Sequence, residues 1–78
     1  MKKIKISTSY ITLGQVLKLA DWIDSGGMAK MFLAEYTVMI NGEQDQRRGR
    51  KLVPGDIVEV AGVGKCQITS RSESGSIS

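Results

Sequence analysis

The chain has 78 residues, 41% of them hydrophobic and 24% charged, and a net charge of +3. That length suits one small domain and disfavours a deep, enclosed substrate cavity. With no His and a single Cys, Cys66, it lacks the commonest general base, the usual zinc sets and any internal disulfide, so composition points to binding rather than catalysis.

Lys3-Ile4-Lys5-Ile6-Ser7 alternates polar and apolar side chains, which predicts a short strand with Ile4 and Ile6 buried. Lys2, Lys3 and Lys5 then face solvent, either extending an electrostatic footprint or guarding a sheet edge. No apolar signal core follows, and no stretch approaches the roughly 18 apolar residues of a membrane span. Together with an unpaired Cys, this predicts a cytoplasmic protein with no membrane partner.

Thr12-x-x-Gln15 has the spacing of a capping box, with Ile11 and Val16 placed as a hydrophobic staple. Leu13, Val16, Leu17 and Ala20 follow at i, i+3, i+4 and i+7, one buried stripe of a helix that Trp22 or Ile23 closes. Ser25-Gly26-Gly27 is expected to interrupt it, glycine supplying the positive φ of a C-terminal cap. A second helix, Met28 to Tyr36, repeats the stripe through Ala29, Phe32, Leu33 and Tyr36 and leaves Lys30 and Glu35 outside it. Tyr36 is thereby assigned to the core, although an exposed tyrosine there would suit base stacking.

The period then changes to two at Val38 and Ile40, and Asn41-Gly42 predicts a type I′ hairpin returning through Glu43 to Gln46. Pro54-Gly55-Asp56 marks a turn, Ile57 to Val60 a strand, Gly62 and Gly64 another turn, and Cys66 to Thr69 a last short strand. The Ser-rich residues 70–78 are expected to be disordered, leaving 1–69 as one domain.

Between Gln46 and Leu52 the chain sets Arg47, Arg48, Arg50 and Lys51 around Gly49, four cations in five positions on an otherwise near-neutral or acidic body. Arginine forks match phosphate oxygens, Lys adds a point charge, and glycine allows close backbone approach, so this block is the candidate polyanion site. Lys30 is placed to join it and Lys18 is a further candidate. Ser25, Gly26 and Gly27 precede a helix whose free amides favour an anion, with ordinary capping as the alternative. Cys66 has no His partner and reads as a buried structural thiol. Asp21 and Asp24 are too few ligands for a cation, so no metal and no cofactor are expected.

Three runs, Gly26-Gly27-x-Ala29-Lys30, Val38-x-Ile40-Asn41-Gly42-Glu43 and Arg47-Arg48-Gly49-Arg50-Lys51-Leu52-x-Pro54-Gly55-Asp56-x-Val58, resemble the S-four RNA-binding domain over about residues 11–60. The Ile11-Thr12-Leu13-Gly14-Gln15 and Ser25 to Lys30 segments are similar to its stand-alone YaaA-type members. The resemblance implies an α+β fold, the αL motif, in which two short helices pack on a small, mostly antiparallel sheet. It implies that the helix pair and the following loop form an RNA surface, that the partner is structured RNA such as ribosomal RNA, and that the protein assists large-subunit assembly on the ribosome. No enzymatic activity and no small-molecule substrate are expected. Many members open the first helix with Arg-Leu-Asp, where this chain has Ile11-Thr12-Leu13, so no basic contact is expected from the start of that helix.

Two other readings compete. A helix-turn-helix DNA binder would use residues 28–36 for recognition, but these offer only Lys30 as a cation. A protein-interaction adaptor would pair through the edge at Lys3 to Ser7 or through the last strand.

Overall fold

The structure, a computed structural model, describes residues 1–71. Its strands are β1 (Lys2–Ile6), β2 (Ile11–Thr12), β3 (Val38–Ile40), β4 (Glu43–Gln44), β5 (Lys51–Leu52), β6 (Ile57–Val60) and β7 (Gly64–Ser70). Two helices, α1 (Leu13–Leu19) and α2 (Ala29–Glu35), follow the first two strands. The main sheet has the order β1-β7-β6-β3-β4, and only its β1–β7 pair is parallel. This is the expected α+β class with a mostly antiparallel sheet.

β1 lies at the sheet edge, Ile4 and Ile6 buried and its lysines exposed. Parallel pairing carries β7 one residue past its expected end, since Ser70 is in register with Ile6. The rest of the expected tail, from residue 72, lies outside the described residues. β2 and β5 form a separate antiparallel ribbon, Ile11 opposite Leu52 and Thr12 opposite Lys51. Two-residue strands are too short to show a period, so alternation could not reveal them.

α1 begins as its sequence predicts. Gln15 Oε1 accepts the Thr12 N–H at 3.0 Å and the Thr12 hydroxyl at 3.1 Å. Leu13, Val16, Leu17 and Ala20 are wholly buried in one core with Ile11, Leu52 and the inward faces of β3, β6 and β7. Its end differs from expectation. Asp21 takes φ 67°, its N–H donates to the Lys18 carbonyl at 3.0 Å, and the Trp22 N–H reaches the Leu17 carbonyl at 3.0 Å. These are the paired bonds of a left-handed helix cap. Gly26 and Gly27 keep ordinary φ and form a 3-10 turn, Gly26–Met28, leading into α2. An aspartate can occupy the left-handed region because its short polar side chain bonds locally, but it signals a cap far less plainly than glycine. Lys2 Nζ completes the helix end, donating to the Ala20 carbonyl at 2.7 Å.

In α2, Ala29 and Leu33 are buried. Tyr36 is not in the core: the helix stops at Glu35, Tyr36 is extended at φ −113°, and the residue is 40% exposed, its ring stacked on Phe32 at 4.6 Å. The hairpin after β3 has the expected turn, with Asn41 at φ 53° and Gly42 at φ 86°. Its return strand ends at Gln44; beyond it the Asp45 side chain binds Arg47 of the following loop and the Gln46 side chain binds β3 and the end of α2.

Candidate nucleic-acid interface

The cationic segment is a fixed turn. At its start the Asp45 N–H donates to the Val38 carbonyl at 3.0 Å. Gln46 Nε2 donates to the carbonyls of Leu33 and Tyr36, the latter at 2.8 Å, and Gln46 Oε1 accepts the Val38 N–H at 2.8 Å. One side chain thus satisfies carbonyls freed at the end of α2 and ties them to β3. The Arg50 N–H donates to the Arg47 carbonyl at 3.1 Å, closing the turn, and Lys51 enters the ribbon with β2.

The other anchor is the start of α1. Its first amides have no partner inside the helix. The Leu13 N–H donates to the Arg50 carbonyl at 2.8 Å, and the Gly14 N–H to the Arg48 carbonyl at 3.0 Å. Main chain does the docking, so the arginine side chains are left to point elsewhere. At Gly14 a Cβ would lie 2.8 Å from Arg48 Cγ, so the glycine makes room for that arginine.

Asp45 organises the charge. Its carboxylate receives Arg47 Nη2 and Arg50 Nη1, each at 2.8 Å, together with Arg47 Nε at 3.1 Å and the Arg47 backbone N–H at 3.0 Å. The Arg47 bonds, with help from Arg50, hold the Asp45 carboxyl well below the ordinary carboxylate range. Arg47 is shifted upward in turn by the same carboxylate. The Asp45 side chain is 9% exposed and that of Arg47 73%, so the pair orients Arg47 while leaving most of it in water.

Arg48 is where the expected site residues converge. It lines one groove of about 380 Å³ with Lys18, Gly26 and Gly49, and a second of about 500 Å³ with Lys30. Arg47, Gly49, Arg50 and Lys51 line a third. Ser25 and Gly27 are exposed beside Gly26 but contribute to none of these three grooves. Gly26 and Gly27 lie in the 3-10 turn that runs directly into α2, with Ser25 just ahead of it, so these residues precede the first α-helical residue, Ala29, by one tight turn.

Asp45, Gln46 and Gly14 were not singled out by sequence reasoning. An acid just ahead of a basic run reads as dilution, yet Asp45 followed two and five residues later by Arg47 and Arg50 was the available signal. The amide of Gln46 and the clearance at Gly14 depend on three-dimensional neighbours and left no local trace. Tyr10 was likewise passed over; Lys51 Nζ lies 4.9 Å from its ring centre. Cys66 is fully buried, and burial pushes its thiol up to about 11, which suits a structural role. Among the described residues no three His, Cys, Asp or Glu side chains gather as metal ligands, and no helix is long and apolar enough to cross a membrane.

A helix pair on a small mixed sheet, with a rigid cationic turn docked on its first helix, sets the class of this protein. The chain belongs to the S4 domain family, whose model matches residues 4–69. Among individual proteins, it is 60% identical over 67 residues to "Probable ribosome maturation protein RlbA" of Bacillus subtilis (strain 168), covering 86% of this chain and 94% of that relative. It is also 38% identical over 53 residues to "Putative RNA-binding protein YbcJ" of Escherichia coli (strain K12), covering 68% and 76%.

Proposed function

We propose that this chain is a non-enzymatic RNA-binding module of ribosome maturation, acting in the cytoplasm on structured ribosomal RNA during large-subunit assembly. The observation that carries the reading is the position of Arg48, fixed through its carbonyl to α1 and shared by grooves that also contain Lys18 and Lys30. Two relatives named for ribosome maturation and RNA binding support the same conclusion. Arg47, Arg50 and Lys51 add phosphate contacts from the third groove, and Gly26 and Gly49 allow a backbone to come close. Ser25 and Gly27 flank the contact surface. A phosphate ladder of fixed spacing would be read by this arrangement as shape, with little dependence on base sequence.

Fluorescence anisotropy of the chain against structured rRNA fragments, a single-stranded RNA and duplex DNA, at low and moderate salt, tests the reading. If about five phosphates are neutralised, log K falls with log salt at a slope of about −3.5 to −4.5. Replacing Arg47, Arg48, Arg50 and Lys51 with Ala is expected to abolish binding. Arg48→Ala alone, which leaves the Asp45 pairs in place, is expected to weaken it uniformly across RNA sequences. Circular dichroism checks that both variants fold. Binding that is indifferent to salt or unchanged in the quadruple variant would sink the cationic-turn mechanism, and a preference for duplex DNA would favour the helix-turn-helix alternative.

A further inference from the structure

We propose that Tyr10 is a stacking site for a single unpaired RNA base beside the cationic turn. The inference rests on the RNA-binding reading and adds to it the feature of the RNA that the chain selects. Tyr10 immediately precedes β2, whose Thr12 is in register with Lys51, and its carbonyl accepts the Thr8 hydroxyl at 2.8 Å. Its backbone is therefore held against the cationic segment. Lys51 Nζ sits 4.9 Å from the ring centre, as a cation does over a π-face. Even so, Tyr10 is 45% exposed, whereas the next residue, Ile11, is 6% exposed.

Core packing does not account for an aromatic ring so placed. The Tyr36 ring already has Phe32 as a stacking partner and Trp22 packs against the core, whereas Tyr10 has a cation over its ring, is 45% exposed and does not join the core cluster. Lys51 also lines the groove of Arg47, Gly49 and Arg50, so the ring stands at the rim of a phosphate-binding surface. A ring for the base and cations for the flanking phosphates are the two elements by which proteins take up splayed nucleotides. Bases within a continuous duplex are stacked on each other and cannot meet the ring, so the ligand is structured RNA carrying a bulged or loop nucleotide. One ring accommodates one base, which separates this site from a platform that tracks single strands.

The test uses the full chain and two RNA hairpins of equal length and charge, one with a fully paired stem and one with a single bulged 2-aminopurine. Wild type is expected to bind the bulged hairpin about tenfold more tightly and to quench the 2-aminopurine fluorescence. Tyr10→Phe should keep both effects, while Tyr10→Ala, checked for folding by circular dichroism, should lose both and still bind the paired hairpin with unchanged salt dependence. Unaltered fluorescence on saturation, or equal discrimination by wild type and Tyr10→Ala, overturns the stacking site and leaves RNA binding intact. Failure of wild type to bind either hairpin overturns the RNA-binding reading itself, and the stacking site with it.

Discussion

The amide of Gly14 donates to the carbonyl of Arg48 at 3.0 Å, and the space a side chain would need at Gly14 is filled by Arg48 Cγ at 2.8 Å from the ideal Cβ position. With Arg48 in this rotamer, the helix start and the cationic turn leave no room for a side chain at Gly14. Gly14→Ala has opposing effects. It gains up to about 1 kcal/mol of helix propensity, but it forces Arg48 into another rotamer. Arg48 is exposed, so a change of its rotamer meets water and we expect the melting temperature to move little. RNA affinity should fall several-fold and the salt slope should shrink by about 1, as one phosphate contact is lost. Unchanged affinity and slope in a stably folded variant would show that the Arg48 side chain does not touch RNA.

Asp45 gives the turn an acid-sensitive support. Its folded carboxyl titrates below its unfolded value, so its contribution is fully present above the unfolded pKa of about 3.9 and is lost as pH falls toward the folded value. Because Arg47 is largely in water, solvent screening holds the net contribution to about 1 kcal/mol. We expect Asp45→Asn to melt about 5 °C lower near neutral pH and to show a shallower loss of stability than wild type below about pH 4. Acid titrations followed by circular dichroism decide it. Parallel curves for the two proteins below that pH would mean that the ion pairs stabilise nothing.

At alkaline pH the buried thiol of Cys66 acts in the opposite sense. Its folded pKa, about 11, lies above the unfolded value. Its contribution is thus complete below about pH 8.5 and declines as pH rises toward 11. Cys66→Ala should remove that component, so the wild-type minus variant stability difference is expected to shrink between these limits in urea unfolding series. A thiol reagent should label native Cys66 only at the rate of opening. Rapid labelling of the native chain would contradict its burial.

Sequence patterns revealed those parts of the molecule that depend on a period or a strongly biased residue type. Leu13, Val16, Leu17 and Ala20 marked their own buried face, Asn41-Gly42 its own turn, and the cluster of Arg47, Arg48, Arg50 and Lys51 stood out by charge alone. The helix cap at Asp21 was misplaced onto Gly26 and Gly27 because glycine is the stronger generic signal for positive φ. Tyr36 was assigned by helical spacing to a helix that ends one residue earlier. What holds the basic turn was illegible for a different reason. The Gln46 bonds to residues eight to thirteen positions away, and the α1 amides that meet Arg48 and Arg50, exist only once helix, hairpin and turn have packed.

Gln46 is the most economical place to separate the shape of the turn from its charge. Its side chain donates twice to carbonyls of the α2 end and accepts once from Val38, and it carries no charge itself. Gln46→Ala leaves three backbone groups to find water, which costs about 2 kcal/mol on the scale of unmet partly buried hydrogen bonds. Gln46→Glu keeps the acceptor for Val38 but places a carboxylate against two carbonyl oxygens, so it should destabilise at least as much near neutral pH and recover partly when protonated. Urea unfolding is expected to show both losses with little change in m-value. With the variants still folded at low temperature, RNA affinity should drop even though every cation is retained. Full affinity in a folded Gln46→Ala chain would instead mean that net charge, and not the fixed geometry of the turn, binds the RNA.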